Sequence, residues 1–193
     1  MSYKVAVATE DHTLDQYIVG PVVRAVMAAI GKPKAVVHVI TNPRIRGFDD
    51  LRAQACEIVA KYAPIMNVLV FAIDLDCQDG QEGRPDRLVR LGNALQHCAL
   101  DKAAVLTVGA VNEVEIWALW GSRGELPDGW ETVRAECHPK EIYFEPLMTR
   151  EDLLKPDRGR KRLIESSLAG GLASLVQGCG EIGGFRDALE NHV

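Results

Sequence analysis

The most constraining feature of this chain is an alternation of two periodicities that runs from its start to about residue 110. Short apolar runs rich in β-branched residues occur at Tyr3–Thr9 (YKVAVAT), Ala35–Ile40 (AVVHVI), Asn67–Ile73 (NVLVFAI) and Ala103–Val111. Between them, apolar residues recur at helical spacing. Leu14, Ile18, Val22, Val26 and Ile30 mark the first interval, which Gly31 and Pro33 close. Leu51, Ala55, Ile58, Val59 and Tyr62 mark the second, with Asp49 or Asp50 as the expected N-cap. Arg87–Ala99 supplies a third helix. Strands that are apolar throughout are buried on both faces, and strands that alternate with helices form a parallel sheet. The expected fold class is therefore α/β: a Rossmann-like, mostly parallel sheet of about four strands with helices on both faces.

Beyond residue 111 the texture changes. Glu113–Trp120 reads as a short apolar helix carrying two carboxylates, and Gly121–Pro139 as loop. Arg150–Leu154, Arg160–Val176 and Gly184–Asn191 read as helices. No internal repeat or low-complexity linker divides the chain of 193 residues, a length that suits one domain. The expectation is a single domain over 1–193, with an α/β core over 1–120 and a helical C-terminal extension over 121–193 packed on it.

Composition excludes several classes. With 47% hydrophobic and 25% charged residues the chain is globular rather than disordered. Its apolar runs, such as Val68–Ile73, fall far short of the ~20 residues that span a bilayer, so no membrane is expected. Met1-Ser2-Tyr3-Lys4 leads straight into a strand-like run without a secretory signal, which points to the cytoplasm. The five cysteines (Cys56, Cys77, Cys98, Cys137, Cys179) form no Cys-x-x-Cys pair and are odd in number. They are expected to be reduced and mostly packed in the core. A net charge of −5 counts against coating nucleic acid by bulk charge, but not against a local basic groove.

In an open parallel sheet, function collects at the carboxyl ends of the strands. The first strand runs into Glu10-Asp11, with Asp15 one turn on. The third ends in Asp74-Leu75-Asp76, and the fourth runs into Glu113-Val114-Glu115. Like charges gathered this closely need something positive between them. Hard oxygen donors favour Mg²⁺ or Mn²⁺, and alternate residues at a strand end let Asp74 and Asp76 face one cation. An EF-hand reading of Asp74–Gly80 fails, because the glycine is seventh instead of sixth and Pro85 stands at the twelfth position. His12 and Cys77 flank the acids and have the chemistry of ligands or proton shuttles, although each reads first as a neighbour of the site. Trp117 and Trp120 read as core.

Cations follow the acids. Arg150–Arg162 holds six Lys or Arg residues against three acids, and Arg84, Arg87 and Arg90 follow the Asp-x-Asp segment. A basic segment beside an acidic metal pocket is what a phosphodiester substrate requires. Arg84, Arg87, Arg158, Arg160 and Arg162 are the candidate nucleic-acid contacts.

A Glu after the first strand, an Asp-x-Asp after a later one and the βαβαβ order resemble the toprim domain of topoisomerases, primases and related nucleases. The likeness is closest to small stand-alone toprim-like proteins and to the toprim domains of overcoming-lysogenization-defect nucleases, which accompany ABC-type ATPases in phage defence. Their Glu-Ala-Trp-Leu-Leu segment reads Glu115-Ile116-Trp117-Ala118-Leu119 here. Their Pro-Glu-rich segment is represented by His138–Ile142 with Pro146, their late basic stretch by Lys161, and their Cys- and Phe-containing finish by Cys179 and Phe185.

The resemblance implies that Glu10, Asp74, Asp76 and Glu115 bind two Mg²⁺ (or Mn²⁺) ions, with Glu113 beside them, and that Lys161 stabilises phosphate charge. It implies a two-metal nuclease acting on DNA or RNA. The expected partner is an ABC-type or AAA ATPase, and a homo-oligomer is compatible. The family pattern Glu-Gly-x-Thr-Asp is replaced here by Glu10-Asp11-His12-Thr13-Leu14-Asp15, so Asp11 or Asp15 would take the place of the second acid. The alternative is a catalytically degenerate toprim-like subunit regulated by a partner ATPase. A third reading is a receiver-type phosphoryl-transfer domain. It lacks the late-strand lysine such domains use, because the fourth strand ends Val108-Gly109-Ala110.

Overall fold

Along β1 (Lys4–Thr9), Val5 and Val7 point into one apolar cluster while Ala6 and Ala8 point into another on the opposite side. β3 (Val68–Asp74) divides the same way, with Val68, Val70 and Ala72 on one side and Leu69, Phe71 and Ile73 on the other. This two-sided burial is why the runs are continuously apolar. The computed structural model describes residues 2–77, 85–98 and 103–193. It contains a four-stranded, all-parallel sheet in the order β2-β1-β3-β4, where β2 is Val36–Val39 and β4 is Ala104–Ala110. The fold is thus α/β and Rossmann-like. At the edge, β2 is only partly covered, and Val36 is half exposed.

Helices cover both faces. The Val5/Val7 face packs against α1 (Gln16–Ala29), α5 (Glu115–Leu119) and the C-terminal helices α8 (Arg160–Leu168), α9 (Gly171–Gly178) and α10 (Gly180–Glu190). The Ala6/Ala8 face packs against α2 (Phe48–Ala53), α3 (Ala55–Tyr62) and α4 (Pro85–Gln96). Trp117, Phe144, Leu163, Ile164 and Phe185 belong to the same apolar cluster as β1 and β3, so the C-terminal third is part of the core. No described helix is long and apolar enough to cross a membrane.

The structure differs from the sequence expectation in several places. The interval after β2 holds two helices, and its N-cap is Gly47 (φ 88°), with Asp49 and Asp50 inside the first turn. The segment 121–139, read as loop, contains α6 (Trp130–Ala135). The expected helix Arg160–Val176 is broken after Leu168, because Gly171 takes a left-handed conformation (φ 78°). The last helix begins earlier, at Gly180. The expected end of the third helix at Ala99 lies outside the described residues, as does Arg84.

The cysteines differ most. Cys56 pairs with Cys98, and Cys77 with Cys137; only Cys179 is free, and it is buried. The expectation of reduced, core-packed cysteines is corrected, because residues 42 and 60 positions apart are folded side by side. Cys56–Cys98 joins α3 to the segment after α4. Alkylation of the denatured, unreduced protein should therefore block Cys179 alone, and reduction first should expose all five cysteines. Intact-mass spectrometry checks the count.

Candidate functional site

The chain leaves β1 in one direction to form β2, then returns to lay β3 on the other side of β1. At such a switch point the loops diverge and a crevice opens at the carboxyl ends. Because all four strands are parallel, Glu10, Asp74 and Glu113 emerge at the same edge.

Asp74 and Glu10 are joined directly: the Asp74 backbone N–H donates to Glu10 Oε1 at 3.0 Å. The guanidinium of Arg87, from α4, bridges the same groups. Its Nη2 donates to Glu10 Oε2 at 2.9 Å, and its Nη1 donates to the Asp74 carbonyl at 2.6 Å and to Asp76 Oδ2 at 2.5 Å. Its charged plane lies over the Phe48 ring, 4.4 Å from the centroid, in a cation–π contact. The Asp74 side chain turns toward β4's exit, where Oδ1 accepts from Val114 N–H at 2.8 Å. Asp15 is buried at the start of α1 and accepts from Asp11 N–H at 3.0 Å.

Glu115 is buried at the start of α5. Its only described side-chain partner is Arg160, which is also buried, at 2.5 Å. Arg160 lies over the Phe144 ring at 5.2 Å. Glu113 accepts from Lys140 N–H at 2.9 Å.

The loop between Asp74 and Asp76 does not continue the strand's alternation. Asp76 takes a left-handed backbone (φ 37°) and donates its N–H to Asn112 O, while Asn112 is itself left-handed (φ 66°). Asn tolerates this region, and the buried Asn112 amide reaches the Glu136 carbonyl at 2.5 Å. Cys77 is then tied to Cys137, so it offers no thiol as a ligand or shuttle. Asp76 accordingly faces Arg87 and solvent, while Asp74 faces inward.

Electrostatically the acids act together. Burial pushes the Asp74 carboxyl well above the usual range, and the charges of Asp15, Glu10 and Glu115 push it further. Burial also raises Asp15 to about 8, with Glu115, Asp11 and Glu10 adding repulsion against the Asp11 amide's pull. Burial lifts Glu10 to about 7 despite Arg87. Glu113 rises to about 7, again chiefly by burial.

The structure thus brings Glu10, Asp15, Asp74 and Glu115 into one interacting group, with Asp76 joined through Arg87 and Glu113 beside Glu115. It does not bring Lys161 there: that side chain is exposed and lies 4.0 Å from Glu165. Its neighbour Arg160 reaches the acids instead. Arg162 is engaged with Asp152 at 2.7 Å and holds the capping box of α7 (Arg150–Leu153). Arg158 is exposed at the protein surface. Trp117 and Trp120 lie in the core, as expected.

Sequence reading placed Arg87 and Arg160 among nucleic-acid contacts, whereas the structure places both inside the acidic centre. A signal was present for Arg87: i+11 from Asp76, it opens a helix that must pack back over the strand ends.

Among the described residues, no group of three or more His, Cys, Asp or Glu side chains is arranged to hold a metal ion. The donor chemistry nevertheless suits a hard divalent cation: carboxylates gathered in a buried place, driven toward protonation by burial first and by one another second. Arg87 and Arg160 supply the positive charge in this arrangement. No protein-family model, curated protein or solved structure matches the chain. What is established by fold and site is therefore a class: a Rossmann-like α/β protein with an arginine-bridged acidic centre at its switch point.

Two predictions follow from this geometry. Carboxyls raised above their unfolded values stabilise the fold fully at about pH 4, and that stabilisation is lost as pH rises through about 7 to 8. Asp74→Asn keeps an acceptor for Val114 and removes the charge. It should raise the melting temperature by about 3 °C at about pH 8.5 and change it little at about pH 4, as read by calorimetry. Arg160→Met strands the buried Glu115 carboxylate and should cost about 3 kcal/mol in urea unfolding. Adding Glu115→Gln should recover most of that loss.

Proposed function

We propose that this protein is a divalent-cation-dependent nuclease whose acidic centre comprises Glu10, Asp15, Asp74, Asp76 and Glu115, with Glu113 beside it. The observation that carries the reading is the gathering of Glu10, Asp15, Asp74 and Glu115 at the β1/β3 switch point. There burial raises the carboxyl pKa values of Glu10, Asp15 and Asp74, and the neighbouring acids push those of Asp15 and Asp74 further up. A protein gains nothing in stability from such a group, and sites built on shifted carboxyls are characteristic of function. Asp74, Asp15 and Glu10 would hold Mg²⁺ or Mn²⁺. Such a cation polarises a phosphodiester and lowers the pKa of bound water.

The chain's own contribution is positional. Backbone N–H groups of Asp74, Val114 and Asp11 fix the carboxylates of Glu10, Asp74 and Asp15 in turn. Arg87 and Arg160 neutralise Glu10, Asp76 and Glu115. In the toprim-like reading the protein works in the cytoplasm as the nuclease subunit of an ATPase-associated phage-defence system, with an ABC-type or AAA ATPase as partner. One observation favours a second reading, a non-catalytic subunit gated by that partner: the two arginines already occupy three of the carboxylates.

The test is incubation of single- and double-stranded DNA and RNA with the purified protein in Mg²⁺, Mn²⁺ or EDTA. Cleavage that needs the cation and falls at least about 100-fold in Asp74→Ala is the expected result. If no nucleic acid is cut with either cation, the nuclease reading is wrong. Calorimetric Mg²⁺ binding that is lost in Asp74→Ala would then favour the gated subunit.

A further inference from the structure

Two hollows open on either side of the loop Asp11–Thr13, which leads from β1 to α1, and both are lined by cations whose side chains have no partner among the described residues. The first, about 340 Å³, is bounded by Glu10, His12 and Thr13 on one wall and by Arg44 and Arg46 on the other. Ile45 between the arginines is buried in the core, and Gly47 N–H is anchored on Glu10 O at 3.0 Å. Both arginine side chains are exposed, and among the described residues neither has an ion pair or a side-chain hydrogen bond. The acids of the same hollow are already engaged: Glu10 by Arg87, and Asp11 by the Thr13 hydroxyl and N–H. The His12 Nδ1 atom is buried without a partner.

The second hollow, about 630 Å³, shares Thr13 and is bounded by Tyr17, Leu154, Lys155 and Arg158. Arg158 is held in a left-handed conformation (φ 46°), with its N–H on the Lys155 carbonyl at 3.1 Å. Leu154 is 83% exposed and Leu153 beside it 54%, next to a half-buried tyrosine and two cations that have no ion pair among the described residues. An aromatic ring and an apolar side chain flanked by cations match a nucleotide, with base against ring and phosphate against charge.

We infer that a single nucleic-acid strand lies across the Asp11–Thr13 loop, with one phosphate at Arg44 and Arg46 and a neighbouring nucleotide at Tyr17, Lys155 and Arg158. The inference rests on the nuclease reading in one respect: it places the strand over the acidic centre, between the two hollows. A single strand is favoured over a duplex because the second hollow offers a stacking surface, and only unpaired bases present a free face to a side chain. The −5 net charge then does not oppose binding, because the cations of the hollows are surplus and the two acids of the first hollow are engaged.

The test is binding, kept separate from cleavage. A fluorescein-labelled strand of roughly 16 nucleotides, as DNA and as RNA, is titrated in EDTA and followed by anisotropy over a range of salt. Each double variant, Arg44→Ala with Arg46→Ala and Lys155→Ala with Arg158→Ala, should weaken binding about tenfold. Each should also lower the salt slope by about 0.7, the release expected for one phosphate contact on a single strand. Tyr17→Ala should weaken binding without changing the slope. Arg24→Ala, an exposed cation on α1 away from both hollows, should bind like wild type. All of these side chains but Tyr17 are exposed, so folding is not at risk, and Tyr17→Phe should retain affinity.

Absence of binding, or double variants indistinguishable from wild type or from Arg24→Ala, would overturn the inference. So would a duplex of the same sequence binding as tightly as the single strand. Cation-dependent cleavage combined with unaffected double variants would leave the nuclease reading standing and remove the strand path. Binding lost in the double variants without any cleavage by wild type would do the reverse.

Discussion

The guanidinium of Arg87 is the contact on which the organisation of the switch point depends. It reaches the first strand's exit at Glu10, the third strand's last carbonyl at Asp74 and the following loop at Asp76, while its face rests on Phe48 of α2. A planar fork with five donors can do this; an ammonium of the same charge cannot. In this arrangement one side chain sets the spacing of two strand ends and docks α4 over them. Arg160 does the equivalent on the other side, bringing α8 against Glu115 at the start of α5. The acidic centre is thus closed by one cation from each helical layer.

That arrangement has an energetic consequence. Carboxylates crowded out of water destabilise one another, and the arginines offset this only for the groups they touch. Asp15 and Asp74 have backbone amides but, among the described residues, no cation, and their carboxyls are pushed upward. Buried carboxyls at the switch point and exposed cations around its rim, unpaired among the described residues, are the two features on which the proposed function and the proposed strand path rest.

Legibility from sequence divided along physical lines. β1, β3 and β4 were legible because two-sided burial requires continuous apolar runs, and Glu10, Asp74 and Glu115 because strand ends in a parallel sheet share an edge. The break at Gly170-Gly171 was missed, because helical periodicity continues on either side of the two glycines. Lys161 against Arg160 was not legible: neighbouring residues on a helix point about 100° apart, and only packing decides which one turns inward. The pairing of Cys77 with Cys137 was equally hidden, since it depends on the loop after β3 meeting the segment after α6.

By itself, then, the sequence determined the class of fold, the parallel sheet and the edge at which its acids emerge. Those follow from local periodicity and from the geometry every parallel sheet shares. Only the tertiary structure decided that Arg87 and Arg160 turn inward, that Asp76 separates from Asp74 and that four cysteines pair. It alone decided that Arg44, Arg46, Lys155 and Arg158 stand on either side of one loop. These depend on contacts between residues far apart in the chain, where direction is set by packing, and no spacing along the sequence encodes it.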